Sequence, residues 1–368
     1  MKLNIGIGDD MKNIDDFIKQ ISFEILSKDL KSKDVSLLKG KMGLVILFYE
    51  LNSVYQQKDY ELFAESLFED ILEIGNNIHF PIRFDGGLLD YGLGLEYLMG
   101  RGFLIIDNDA KNKLQKIWGI VSQSLIHCPP IELNIQNGIL GFGFYFLYCI
   151  RNGAFGEENL RTLHCKQLLA VDVLDCIERL LNKNIKSLNE KKKTYDLMWN
   201  LPCLLYFLYE LYKLDIYNVK VKKLISFIIK NLGTSIELPQ EQWNVLYLLT
   251  VLNKINNVMN IDDICNKILM VYDYDKLVRN CLSICSISKN VEILFLLVLL
   301  NDKKYKQEVE ELFLILGTQY DNEPFGNKCV LLDGIGGLVV SMLIYRMFKK
   351  IVPKLSGYNY ISVFKLFS

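Results

Sequence analysis

The sequence predicts an all-α fold whose helices alternate between an outer and an inner layer. Three observations carry that prediction. Apolar residues make up 51% of the 368 positions, with only 7 prolines and abundant Leu, Ile and Lys, a composition that favours helix. Amphipathic stretches of helical period alternate with stretches that are apolar on nearly every side. Short glycine turns recur ahead of the second kind at near-constant spacing, the mark of a repeat architecture. A helix apolar all round must be enclosed by other helices, so the apolar stretches form the inner layer.

Taken in order, Gly40-Lys41-Met42-Gly43 opens the first inner stretch, Leu44 to Leu51. Asp59 to Ile74 is its outer partner, with Leu62, Phe63, Leu67, Ile71 and Leu72 on one stripe and Glu61, Glu65 and Glu69 away from it. Tyr91-Gly92-Leu93-Gly94 reads as a weaker copy of the turn, and Asn108 to Ile126 as the next outer helix, turning Leu114, Trp118, Val121 and Leu125 inward. Gly138-Ile139-Leu140-Gly141 opens Phe142 to Ile150. There Phe144, Tyr145, Phe146 and Tyr148 stand at core spacing rather than as a stacking platform. Asn200-Leu201-Pro202-Cys203 precedes the inner stretch Leu204 to Tyr212, and Val219 to Leu232 is outer again. Val245 to Leu252, Val291 to Leu300 and Leu338 to Tyr345 continue the inner series, the last behind Gly334-Ile335-Gly336-Gly337.

From Gly40 the stations fall at Tyr91, Gly138, Asn200, Leu246, Ile287 and Gly334, at intervals of 51, 47, 62, 46, 41 and 47 residues. That gives about seven helical hairpins in one domain, 1–368, without an internal boundary. HEAT-type solenoids have repeats of roughly 40–47 residues, but they seldom bury one helix of each pair on all faces. The inner stretches therefore favour closure into a barrel of two concentric helix layers. Glycine suits the turns because a missing side chain lets the chain reverse sharply and backbones approach.

The formal net charge of −1, with Lys and Glu interspersed, gives no electrostatic reason to expect nucleic acid. Apolar content this high excludes a disordered chain. Met1 to Asp10 is mixed and acidic, unlike a signal peptide. The longest apolar runs, Ile139 to Ile150 and Ile293 to Leu300, fall short of the roughly 20 residues of a membrane span. Nine cysteines without CxxC spacing, against three histidines, do not read as a disulfide framework. A cytoplasmic protein with reduced thiols is expected.

Leu37-Leu38-Lys39-Gly40-Lys41-Met42-Gly43, Asn137-Gly138-Ile139-Leu140-Gly141-Phe142-Gly143 and Leu331-Leu332-Asp333-Gly334-Ile335-Gly336-Gly337 resemble the turns of the lanthionine synthetase C-like family, over most of the length from Leu37 to Tyr345. The resemblance implies an α/α toroid. In active relatives a zinc ion binds a peptide cysteine thiolate, which adds to a dehydrated residue to close a thioether ring. Such zinc needs three protein ligands and an open position.

The family's Trp-Cys-Tyr-Gly ligand motif matches Trp243-Asn244-Val245-Leu246, so Asn244 stands at a ligand position. Its Cys-His-Gly motif matches Cys285-Ser286-Ile287, which keeps the cysteine and replaces the histidine by Ser286. The family histidine of the fourth inner turn falls at Trp199, and an aspartate before the third at Asn134. One of five positions, Cys285, survives. A lone thiolate with amides and hydroxyls is a poor zinc set, so no cofactor is expected and the reading is a degenerate cyclase. The partners implied are a precursor peptide and a dehydratase or transporter of a modified-peptide maturation system.

Rival sites read more plainly. Cys281 and Cys285 share a helix face and Cys203 lies at an inner turn, but buried core thiols are common. His127-Cys128 and His164-Cys165 are adjacent pairs whose side chains should diverge, and His79 reads as a loop residue. Asp85, Asp90 and Glu96, or Asp273 and Asp275, would serve a carbohydrate-active toroid only as a converging carboxylate pair. Caps and solvated faces are the plainer roles, as for Asp333. Gly86-Gly87 lacks the strand and the Gly-Lys-Ser/Thr of a phosphate loop. Lys191, Lys192 and Lys193 belong to a basic linker. An active thioether-forming enzyme using Cys285 with other groups, and a pure helical scaffold, are the remaining readings.

Overall fold

The computed structural model describes residues 10–27, 34–37, 40–77, 80–84, 86–105, 108–152, 160–189, 199–236, 238–261 and 263–282, with single positions at 308, 311, 312, 316 and 339. The described chain is helical, and its only strand-like feature is an isolated bridge between Leu232 and Ile236. The inner stretches Val291 to Leu300 and Leu338 to Tyr345, the Gly334 turn, and the Lys191 to Lys193 segment lie outside the described residues. The chain divides into two compact units, one of residues 1–79 with 279–361 and one of 80–278 with 362–368.

In the first unit, α1 (Asp10–Leu26), α2 (Lys41–Tyr55) and α3 (Lys58–Asn77) are described. Helix α2 is buried without interruption from Lys41 to Leu51, as a helix apolar on every side requires. It pairs with α3, where Phe48 meets Phe63 edge-on at 4.6 Å between centroids and Lys41 Nζ reaches Asp70 Oδ2 at 2.5 Å. The buried stripe of α3 is Tyr60, Ala64, Leu67 and Ile71. Leu62, expected on it, is exposed. Spacings of four, three and four select one face, and Leu62 stands off it.

The second unit holds α4 (Leu88–Gly100), α5 (Asn108–His127), α6 (Ile139–Asn152), α7 (Leu160–Leu168), α8 (Leu174–Lys183), α9 (Asn200–Lys213), α10 (Asn218–Asn231), α11 (Gln242–Met259) and α12 (Asp263–Val271). A single π-helical turn, Leu169–Val173, joins α7 to α8, and a 3-10 turn, Ile185–Asn189, follows α8. Helix α13 (Tyr274–Leu282) starts in this unit. The apolar helices α4, α6, α9 and α11 adjoin one another in chain order. Each is backed by the amphipathic helix that follows it: α5, α7, α10 and α12. The outer helices also touch in sequence, α5 against the π turn, α8 against α10, and α10 against α12. The two-layer alternation is thus present within this unit.

One correction concerns the second turn. Tyr91-Gly92-Leu93-Gly94 does not turn; it lies inside α4, whose N-cap is Gly87. A Cβ on Gly92 would stand 2.8 Å from Ile117 Cγ2 and 3.2 Å from a Tyr145 ring carbon, so this glycine serves close approach of helices rather than reversal of the chain.

Candidate functional site

The starts of the inner helices are built alike. Lys41 N–H donates to Asp34 O at 2.9 Å, Leu88 N–H to Pro81 O at 2.8 Å, and Ile139 N–H to Glu132 O at 2.9 Å. In each case the first helical residue closes a loop onto the carbonyl seven positions earlier. Gly40, Gly87 and Gly138 precede those residues, and a Cβ on any of them would lie within 2.5 Å of a loop carbonyl oxygen. Their φ and ψ, where Gly40 and Gly87 share −120° with −167° and −166°, are open to any residue, so the loop backbone and not the torsion demands glycine. Leu37, Phe84 and Ile135 occupy the same loop position, three before the glycine, and all are buried.

Two predicted site residues do loop work. Asn134 Oδ1 accepts the Asn137 N–H at 2.7 Å and its amide donates to Glu132. Trp199 is the N-cap of α9, buried, with Nε1 donating to Leu188 O at 2.9 Å. Neither presents a base.

Asn244 lies in the first turn of α11, fully buried. Its Nδ2 donates to Glu241 Oε2 at 2.6 Å, and its Oδ1 has no hydrogen-bond partner. One turn on, Tyr247 stacks on Trp243 at 6.1 Å between centroids, and its hydroxyl lies 3.5 Å from Cys203 Sγ on α9. Burial pushes the Cys203 thiol up to about 12, so without a bound cation it stays protonated at neutral pH and is not a ready nucleophile. Cys285 and Ser286 lie outside the described residues. Among the described residues no group of three or more His, Cys, Asp or Glu side chains is placed to hold a metal ion.

The rival carboxylates are engaged. Asp90 is buried and its Oδ2 accepts the Gly86 N–H at 3.1 Å, which braces the turn into α4. Asp273 Oδ1 accepts the Lys276 N–H at 3.0 Å, an N-cap contact for α13. Glu96 is ion-paired with Arg161. Cys281 is buried, and burial holds its thiol up at about 12. Asp85, His79 and Asp333 lie outside the described residues. His127 and Cys128 are exposed at the end of α5. His164 and Cys165 both meet Trp118, the imidazole edge-on to the ring at 5.3 Å and the thiol at the indole N–H.

Sequence reasoning missed a buried polar cluster where α4, α5, α6 and α7 meet. Glu96 from α4 pairs with Arg161 at the start of α7, and Arg161 Nη2 lies 3.7 Å from Cys149 Sγ on α6. Trp118 Nε1 from α5 donates to Cys165 Sγ on α7 at 3.3 Å. The Tyr145 hydroxyl is buried without a partner. A signal was available: a glutamate inside the otherwise apolar run Leu93-Gly94-Leu95-Glu96-Tyr97-Leu98 needs a buried cation.

No protein-family model matches the chain, and no curated protein matches it. Among the described residues, no helix is long and apolar enough to cross a membrane.

Proposed function

We propose that the protein is a divergent lanthionine-synthetase-C-like member of a modified-peptide maturation system, an α/α toroid that binds the precursor peptide or a dehydratase or transporter partner. In this reading the thioether-forming zinc chemistry is lost. The observation that supports the reading is the threefold recurrence of one seven-residue loop closure, at Gly40, Gly87 and Gly138, each opening an apolar helix. Loss of the chemistry is supported by Asn244, which spends its amide on Glu241, and by Trp199 and Asn134, which hold their own loops.

Metal analysis of the purified full chain tests the proposal. The expected result is zinc far below one ion per chain. Stoichiometric zinc that disappears in Cys285→Ala would overturn the degenerate-site reading in favour of an active cyclase. Co-expression with a cysteine-rich precursor peptide should give a co-purifying complex. Failure to retain any such peptide or a dehydratase would leave the plain scaffold as the better reading.

A further inference from the structure

We propose that the C-terminal half of α9 is a docking surface for an extended acidic peptide segment, whose carboxylates meet ammonium groups held over tyrosine rings. Tyr206, Tyr209 and Tyr212 recur at every third position of that half. Each ring has a lysine over it, and the three lysines come from three helices. Lys254 Nζ of α11 stands 5.6 Å from the Tyr206 centroid, Lys213 Nζ of α9 5.4 Å from Tyr209, and Lys222 Nζ of α10 5.3 Å from Tyr212. A fourth cation, Arg151 in the last turn of α6, pairs with Glu210 in the same stretch of α9.

The rings place the ammoniums without spending their charge. An aromatic face attracts a cation through its quadrupole but brings no opposite charge. The contrast is local: Lys220 and Lys223 on α10 are ion-paired with Asp175 and Glu178 of α8, whereas Lys222 between them turns to Tyr212. Arg151 and Lys213 share one carboxylate, with Lys213 Nζ 4.0 Å from the same Glu210 oxygen that Arg151 holds. Burial, then the charge of Arg151, holds the Lys213 ammonium below its usual range, as crowded cations require. Helix-end electrostatics account only for Arg151 and Lys213, which lie in last turns. Lys222 lies in the second turn of α10, and Lys254 more than a turn before the end of α11.

Spacing and exposure select the occupant. From Tyr206 to Tyr212 the helix rises about 9 Å, which spreads the ammoniums too widely for a single phosphate. An extended peptide places alternate side chains about 6.6–6.8 Å apart on one side, so two or three alternating acidic residues span the row. Base stacking is poorly served, because Tyr206 keeps only 3% of its surface and the ring faces already carry the lysines. Lys213 and Lys222 are exposed, so the partner docks without opening the core. The surface lies at the far ends of α6 and α9 from their opening turns, and the inference does not rest on the maturation reading.

The test is fluorescence anisotropy of a labelled peptide of alternating glutamate and glycine, titrated with the purified full chain at about 20 mM salt. Binding is expected, weakened at about 300 mM salt, and absent for the peptide with glutamine in place of glutamate. Lys213→Gln combined with Lys222→Gln should weaken it about tenfold at unchanged helicity. Lys111→Gln combined with Lys113→Gln removes the same charge from exposed positions of α5 and should leave binding within about twofold. The probe carries no cysteine, serine or threonine, so its result is separable from zinc content and from retention of a precursor peptide. The proposal falls if the glutamate peptide does not bind at low salt, if the glutamine peptide binds as well, or if both double variants weaken binding equally. Displacement of the peptide by oligothymidylate at lower concentration would also overturn it, in favour of a nucleic-acid surface.

Discussion

Glu96 is fully buried and ion-paired with Arg161, whose side chain is 15% exposed. Breaking such a pair costs more than the pair contributes, because the surviving charge stays in low dielectric. Glu96→Gln should therefore destabilise the protein by about 3 kcal/mol, read as a lower midpoint in urea unfolding with an unchanged slope. The thiols give a second expectation at this scale. With Cys203 held up to about 12 by burial and Cys128 exposed, brief alkylation of the folded chain at pH 8 should label Cys128 and spare Cys203, as peptide mass analysis would read. At residue scale the sequence was least legible. Glu96, Cys149, Arg161 and Cys165 come from three helices, and no spacing rule links residues that meet only after the layers form.

Among elements, the loop closures make a sharp contrast between glycines. A Cβ on Gly87 would meet Arg83 O at 2.4 Å and Pro81 O at 2.5 Å, whereas one on Gly119, in the outer helix α5, meets nothing within 4 Å. Gly87→Ala should cost about 1–3 kcal/mol by overpacking against backbone that cannot yield. Gly119→Ala should add about 0.5–1 kcal/mol by removing helix-opposing freedom. Thermal unfolding of the two variants should move in opposite directions from wild type. Inner and outer helices were legible because their apolar periods differ, and α2, α5, α6, α9, α10 and α11 occur where the pattern expects them. The start of α4 was misread because Gly92 and Gly94 mimic a turn. The sequence pattern does not separate a glycine that admits a neighbouring ring from one that admits a loop carbonyl.

For the molecule as a whole, formal charges nearly cancel at −1, with a sequence pI of about 6.4. Self-repulsion vanishes there, so light scattering at low salt should peak between pH 6 and 7 and fall by pH 8. A minimum of scattering in that interval would mean that surface patches, not net charge, govern association. The layered architecture of residues 80–278 was legible from composition and period alone, since both report how much of each helix meets water. The predicted metal site was legible only as a set of substitutions. Asn244, Trp199 and Asn134 have local partners that no alignment of motifs foretells, and Cys285 with Ser286 falls outside the described residues.

The π turn Leu169–Val173 has a consequence for how this outer helix tolerates insertions and deletions. Cys165, Leu169, Val173, Ile177 and Leu181 are all buried, one every fourth residue. In an ideal α-helix a step of four overshoots the turn by about 40°. Over the four steps from Cys165 to Leu181 the last side chain would drift about 160° from the first, onto the solvent side. The wider turn absorbs part of that drift and keeps the row in phase with the inner layer. Deleting one residue there would yield a more regular helix, but it would rotate everything after it by about 100°, carrying Ile177 and Leu181 out of the core. The helix's irregularity is the vernier that keeps its two halves reading the same face.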